Sequence, residues 1–405
     1  MSKRTRLRAF AAAALTAVVV TAGPLSASAD GGPGSAETAE TRTPAPLYKS
    51  AKALSGRYIV TLETSANAEE MTTGLGVKPL YSYKSALRGF AAALSPAKLK
   101  AVRALPGVAS VEEDAQVSAV KPTPAASGKH VPSASWGLDR IDQRGLPLDA
   151  EFTVNGTGRG ATAYILDTGI EYSHSEFEGR ATYGFDAIGD GQRGQDCHGH
   201  GTHVAGTVGG KTYGVAREAN LVSVRVLDCE GTGTWSSILA GLDWVSAHAR
   251  QPAVLNGSLG GPKSTAVNDA ANAVAAAGVL PVVAAGNESS DACSVSPASA
   301  DRAVTVGAST RSDQESDFSN FGPCLSLYAP GASIVSAKMG GGSVALNGTS
   351  MATPHVTGIA LLRRASMATA TPAEVATWLG ESSTKKALSG LGEGSPDQLL
   401  YTGGS

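Results

Sequence analysis

The sequence predicts an α/β protein: a mostly parallel central sheet flanked by helices, preceded by a small α+β unit. Two observations carry this. From Trp136 onward, near-continuous apolar runs ("ATAYILDTGI", "NLVSVRVLD", "PAVLNGSLGG", "GVLPVVAAGN", "AVTVGAS") alternate with helical stretches such as "TWSSILAGLDWVSAHAR" and "TAVNDAANAVAAAG". Strands without polar alternation are buried on both faces, the condition of a parallel sheet between helix layers. Residues 57–120 follow another plan, in which short alternating strands flank two short helices. With 405 residues, 42% hydrophobic and 17% charged, the chain has room for more than one domain and a sizeable core.

In order along the chain, "MSKRTRLR" is basic and "AFAAAALTAVVVTA" is an apolar run short of a comfortable bilayer span. Ala27 and Ala29 then give the A-x-A spacing of a signal-peptidase site, so residues 1–29 read as a signal peptide. The product is expected outside the cell, with no membrane association once that segment is removed. Residues 30–56 lack apolar periodicity and read as a linker. "RYIVTLE" (57–63) alternates like a strand, and residues 66–76 read as a short helix ending in Gly. "KPLYSY" and "LRGFAAAL" read as strands, Ser95 and Pro96 open a second helix, and 108–120 closes with a strand. The order βαββαβ over 57–120 is that of a ferredoxin-like unit. Residues 121–135, rich in Pro, Ser and Ala, form a second linker, and the α/β domain occupies 136–405.

The net charge of −2 gives no nucleic-acid footprint. The 4 cysteines, Cys197, Cys229, Cys293 and Cys324, form no C-x-x-C pair. Disulfides in an oxidising compartment are the better reading, with three pairings open.

Ligands of parallel sheets sit at the carboxyl ends of the strands, so polar residues there are the site candidates. Asp167 follows "AYIL", which makes a buried carboxylate in need of a partner. "DCHGHGTHVAG" gathers His198, His200 and His203 beside Cys197, and it admits two readings: a zinc site or a catalytic base with neighbours. Ser350 follows "LNGT" at the start of an amphipathic helical run, where N–H groups and the helix dipole favour negative charge. Asn287 ends "VVAAGN" and can donate to a developing oxyanion. Asp, His and Ser in this chain order, each in a Gly-rich motif, match the subtilisin arrangement, and Ser350 lacks the G-x-S-x-G elbow of lipases. The rivals are an inactive binding protein of the same fold and a zinc hydrolase on the three histidines.

"YILDTGI", "GHGTHVAGTVGG", "VVAAGN" and "NGTSMATPHVTG" resemble the motifs of subtilisin-like serine proteases. "WGLDRIDQRGLPLD", "RVLDCEGTGT", "SPAS" and "FSNFG" are similar to the proteinase K and aqualysin branch, and 57–120 resembles the inhibitor-type propeptide of these enzymes. The resemblance implies a secreted, monomeric serine endopeptidase made as a preproenzyme, acting on proteins and peptides with an apolar or aromatic preference. Its propeptide would aid folding and inhibit. Asp167 would orient His200, His200 would be the general base, Ser350 the nucleophile, and Asn287 an oxyanion donor with the Ser350 N–H. Gly231, Thr232 and Gly233, with Ser258, Leu259 and Gly260, would be the edges flanking a bound peptide. Ala284, Ala285 and Gly286 would wall the pocket for the residue before the cut. Cys197 would pair with Cys229 and Cys293 with Cys324, each bridge worth roughly 3 kcal/mol in the loop-entropy model. No catalytic cofactor is implied. A structural Ca²⁺ would be held by Asp139, Asp142 and Gln143, with Asp149 nearby, whereas Ser326 stands where relatives place an Asp ligand of another calcium site. His198 stands where relatives often carry Asn.

Overall fold

The computed structural model describes residues 43–119, 123–124 and 135–403. The segment read as a signal peptide, residues 30–42 of the first linker and most of the second lie outside the described residues. No helix among the described residues is long and apolar enough to cross a membrane.

The N-terminal unit contains β1 (Leu47–Tyr48), β2 (Ala53–Leu62), α1 (Ala68–Gly74), β3 (Pro79–Tyr83), β4 (Gly89–Ala93), α2 (Pro96–Ala104) and β5 (Val108–Ala119). Its strands run in the order β5-β2-β4-β3, antiparallel throughout. Helix starts are set by side-chain caps: Asn67 accepts from the N–H groups of Glu69 and Glu70, and Ser95 accepts from Lys98 N–H with Pro96 in the first turn. Val60, Phe90, Ala92, Val102 and Val111 fill a core between the sheet and its helices.

Part of the segment read as a linker is structured. β1 pairs in parallel with β5, Leu47 opposite Val111, and β2 begins at Ala53. The two-residue strand β1 gains its order from the free edge of β5, a non-local partner that no local periodicity announces.

β6 (Thr123–Pro124) is followed by α3 (Trp136–Ile141), β7 (Thr162–Asp167), β8 (Ala181–Asp186), α4 (His200–Gly209), β9 (Asn220–Arg225), β10 (Thr232–Thr234) and α5 (Trp235–His248). Then come β11 (Ala253–Gly257), β12 (Leu259–Pro262), α6 (Thr265–Ala276), β13 (Leu280–Ala284), β14 (Val295–Ser296), β15 (Val304–Ser309), β16 (Leu327–Pro330), β17 (Ile334–Ala337) and β18 (Ser343–Asn347). The chain closes with α7 (Thr349–Ser366), α8 (Pro372–Ser382), β19 (Thr384–Lys385) and β20 (Gln398–Leu399).

The main sheet has nine strands in the order β19-β20-β16-β15-β13-β11-β7-β9-β8, all parallel except β19. Every residue of β7, β11, β13 and β15 is buried, as unbroken apolar runs require. β8 has no counterpart in the sequence reading. It is an edge strand, and "ATYGFD" alternates too weakly to stand out.

α7 departs from the amphipathic expectation. It is buried continuously from Thr349 to Leu362, because it packs on β11, β13, β15 and β16 and also against α4 and α8. Its small residues permit this: a Cβ on Gly358 would come within 2.4 Å of Val215.

Candidate active site

Asp167 is the last residue of β7, and His200 is the first residue of α4. Both are buried, and His200 Nδ1 lies 2.7 Å from Asp167 Oδ1, which also accepts the Thr168 N–H at 2.7 Å. The close approach depends on Gly201, where a Cβ would sit 2.1 Å from the Gly169 carbonyl oxygen. Asp196, which sequence reasoning passed over, shapes this corner. It is buried, and it accepts from Thr168 Oγ1, from the N–H groups of His198 and Gly199, and from Thr202 N–H and Oγ1. Thr168 Oγ1 in turn accepts the Gly201 N–H, which locks the first turn of α4 onto the end of β7. The available signal was an acid placed directly before Cys-His-Gly.

Ser350 is the second residue of α7, and α4 and α7 pack against each other over β7. Ser350 Oγ donates to the Ser258 carbonyl at 3.0 Å, and Ser258 Oγ donates to the Ser350 carbonyl at 3.0 Å. Asn287 Oδ1 accepts the Thr349 N–H and hydroxyl, each at 2.9 Å. That fixes the Asn287 oxygen as the acceptor end and its NH₂ as the donor end, beside Gly348. Burial disfavours charge on His200, but the Asp167 charge and hydrogen bond, with the Asp196 charge, outweigh it and raise the imidazole above the ordinary histidine value.

The other histidines have separate tasks. His203 Nε2 donates to the carbonyls of Ile334 and Val344, and burial pushes its pKa down to about 3. His355 Nδ1 donates to the Met351 carbonyl, and burial pushes it down to about 4. His198 is exposed at the rim. The cluster that admitted a zinc reading is thus engaged in divergent directions.

The neutral pair has a consequence for stability. A histidine whose folded pKa is depressed binds its proton only on unfolding, so its contribution is complete above the unfolded value and is lost as pH falls. Between an unfolded value near 6.5 and the folded values, His203 and His355 should each cost about 2 kcal/mol by pH 5. His200, shifted the other way, offsets part of this. Urea denaturation of the Ser350→Ala chain should therefore show lower stability at pH 5 than at pH 8, and equal stabilities would refute the assignment.

The cleft is bounded by β10 and β12, and both edges are engaged. The end of β5 lies between them: Ser118 pairs with Thr232, Val117 with Gly233 and Gln116 with Thr234 on one side, and Ala119 with Leu259 and Ser118 with Gly260 on the other, all antiparallel. Ala119 N–H donates to the Gly231 carbonyl at 2.8 Å. Beyond the cleft, Thr123 and Pro124 pair with Asn347 and Leu346 of β18. Ala284, Ala285 and Gly286 are buried beside Asn287.

Two acids of the N-terminal unit meet helix N-termini of the larger one. Asp114 accepts from Ser236 N–H at 3.0 Å and Ser236 Oγ at 2.7 Å at the start of α5, and pairs with Arg57 at 2.9 Å. Glu112 accepts the Ala266 N–H at the start of α6. Both positions complement the helix dipoles.

Cys197 is joined to Cys229, and Cys293 to Cys324. The first bridge ties the loop before His200 to the loop before β10. Asp139, Asp142, Gln143 and Asp149 share one loop region. Asp139 accepts the N–H groups of Asp149 and Ala150, Asp142 Oδ2 accepts Thr153 N–H, and Gln143 Oε1 accepts Asp149 N–H. Asp142 Oδ1 is buried without a hydrogen-bond partner. Burial raises the carboxyls of Asp139 and Asp142, and the charge of Asp149 adds to this. Among the described residues no group of three or more His, Cys, Asp or Glu is gathered tightly enough to count as a metal centre. Ser326 Oγ accepts the Thr305 N–H, a purely structural contact.

A buried Asp–His pair and a helix-terminal Ser at the carboxyl ends of a parallel sheet are the parts of a serine hydrolase. Comparison with known proteins narrows this class. Residues 158–398 match the subtilase family (Peptidase_S8), and residues 57–119 match peptidase inhibitor I9. The chain is 50% identical over 322 residues to an extracellular serine proteinase of Thermus sp. (strain Rt41A), covering 79% of this chain and 77% of that one. It is 40% identical over 370 residues to the cuticle-degrading protease of Metarhizium anisopliae, covering 89% and 93%. A crystal structure of a cold-adapted subtilisin-like serine proteinase superposes with a TM-score of 0.66 at 47% identity, covering 67% of this chain and 98% of that one. The chain belongs to the subtilase family and is a serine endopeptidase with an I9-type propeptide.

Proposed function

We propose that this chain is a secreted preproenzyme whose mature part cleaves proteins through Asp167, His200 and Ser350. The buried 2.7 Å contact between His200 and Asp167 carries the reading. Asp167 holds the ring with Nδ1 as donor, which leaves Nε2 as the base for the Ser350 hydroxyl. Ser350 attacks the peptide carbonyl, and the Asn287 amide and Ser350 N–H receive the oxyanion. The leaving amine takes the proton back from His200, and water repeats the cycle on the acyl-enzyme. Substrate enters as an extended strand between Gly231–Gly233 and Ser258–Gly260, with its apolar or aromatic residue against Ala284, Ala285 and Gly286. Backbone pairing of this kind supplies affinity with little sequence preference. Labelling by a serine-directed phosphonylating reagent, with activity indifferent to a zinc chelator, tests the mechanism; the reverse pattern would refute it.

The N-terminal unit acts as folding aid and inhibitor, with its last strand in the cleft. Ala119 pairs with Leu259, the neighbour of Ser258, whose carbonyl holds Ser350 Oγ. The bond cut in self-processing therefore follows Ala119, within residues 120–135.

A structural Ca²⁺ at Asp139, Asp142 and Gln143 rests on the partnerless Asp142 Oδ1, the one group there that a cation would satisfy. A cation present at 100 times its Kd adds about 2.7 kcal/mol. A chelator should therefore lower the thermal midpoint by roughly 5–10 °C, and Asp142→Asn should abolish that response. A midpoint indifferent to chelator would remove calcium from the account.

A further inference from the structure

We infer that Asn256 and Thr357 are positioning residues for the nucleophile: a buried chain of side chains, from Thr357 through Asn256 to Ser258, holds the Ser350 carbonyl and with it the residue that carries the attacking hydroxyl. The inference rests on the peptidase reading above, in which Ser350 is the nucleophile.

The need arises within α7. Ser350 is the second residue of this helix, and its carbonyl would ordinarily accept the N–H of the residue four places on. That residue is Pro354, which has no N–H to give. A buried carbonyl deprived of its helix donor is costly. Ser258, one residue beyond the end of β11, supplies a donor in its place: its Oγ donates to the Ser350 carbonyl at 3.0 Å. The carbonyl of Ser258 in turn accepts from Ser350 Oγ at 3.0 Å. Ser258 thus holds both the backbone and the hydroxyl of Ser350.

A serine hydroxyl has one proton and is free to turn it elsewhere. Asn256 removes that freedom. Its Nδ2 donates to Ser258 Oγ at 2.9 Å, which makes that oxygen an acceptor on one side and commits its proton to Ser350. The Asn256 amide is oriented by Thr357, whose Oγ1 donates to Asn256 Oδ1 at 2.8 Å, with the Thr353 carbonyl farther off at 3.2 Å. Thr357 lies about two turns along α7 from Ser350, on the same face. The chain therefore leaves the helix at Thr357, crosses to β11 and returns at Ser350. Asn256, Ser258, Ser350 and Thr357 are each 0% exposed, so solvent does not compete for these bonds and each link bears on the next. Packing alone gives no reason for the pair: leucine at 256 and valine at 357 would fill similar volumes with no polar group to satisfy.

The test uses the mature enzyme, with its reactive serine counted by titration with a phosphonylating reagent, and reads kcat and KM on one peptide. Thr357→Val keeps the shape and removes the hydroxyl. It should lower kcat about fivefold and leave KM unchanged, because substrate meets the backbone of Ser258 and not its side chain. Thr357→Ser should restore the rate. Ser258→Ala removes the last link directly and should lower kcat about twentyfold. In that background Thr357→Val should cost nothing more, since the link through which it acts is already gone. The same factor in both backgrounds would mark Thr357 as merely structural and overturn the inference, as would an unchanged kcat in Thr357→Val. Should Thr357→Val not fold, Ser258→Ala decides alone, and an unchanged kcat there overturns the inference. An unmodified enzyme that neither cuts the peptide nor takes up the reagent would overturn the peptidase reading, and the inference with it.

Discussion

Replacing Ser350 with Ala should leave the chain as a single uncut species and abolish proteolysis. Ser350 is the only hydroxyl among the four proposed catalytic residues, and its loss leaves His200 with no nucleophile to activate. The expected fall in kcat is on the order of 10⁶, the figure the triad serine carries in subtilisin, a relative of this chain. The fold should survive, since the change removes one oxygen from a helix whose packing rests on Met351, Ala352, Val356 and Ile359. N-terminal sequencing supplies the second readout. The unmodified chain should yield a product whose N-terminus falls within 120–135, and the Ser350→Ala chain should yield none. Processing of Ser350→Ala at the same bond, in a host free of other proteases, would end the proposal of self-cleavage. Processing of the unmodified chain outside 120–135 would leave self-cleavage standing and refute the proposed place of the cut.

Replacing Asp167 with Asn should cut kcat by about 10⁴ and also move the pH profile. The amide can still meet His200 Nδ1, but it presents an N–H as readily as an oxygen. The ring then adopts the tautomer with its proton on Nε2, the wrong end to accept from Ser350. The pH effect has a definite sign. In the unmodified enzyme the carboxylate raises the His200 pKa, so the base is lost as pH falls through a value above the ordinary 6.5. Removing the charge leaves burial as the dominant influence, and the acid limb of kcat/KM should move to lower pH. A profile that loses height but keeps its acid limb would show that another group titrates there.

The parts of this site that rest on local pattern were legible in the sequence. Asp167 was visible because four apolar residues carry it to a strand end, and Ser350 because glycine and threonine precede a long run of helix. Ser95 and Pro96 marked a helix start that the structure places at Pro96. The parts that depend on distant partners were not legible. Asp196 looks like any loop acid until the five donors around it are assembled. Asp114 reads as a polar residue of an alternating strand, yet it is fully buried, because its partner Ser236 lies 122 positions away. The burial of α7 on all sides escaped for the same reason. Its polar positions, Thr353, Thr357 and His355, suggest a wet face, but their hydrogen bonds go to Thr349, Asn256 and Met351.

One strand belongs to two domains, and this has a consequence for timing. β5 is held by β2 along its first part and by β10 and β12 along its last. Severing the chain just beyond Ala119 removes a covalent link but none of those hydrogen bonds. On the proposed self-cleavage, the first turnover of each molecule would therefore yield a blocked enzyme carrying its own product as a plug. Escape would wait on a rare unthreading event, after which the freed molecule could digest the plugs of its neighbours. A population of such molecules would stay silent through a lag and then switch on as a chain reaction, with a delay that shortens as molecules become more crowded.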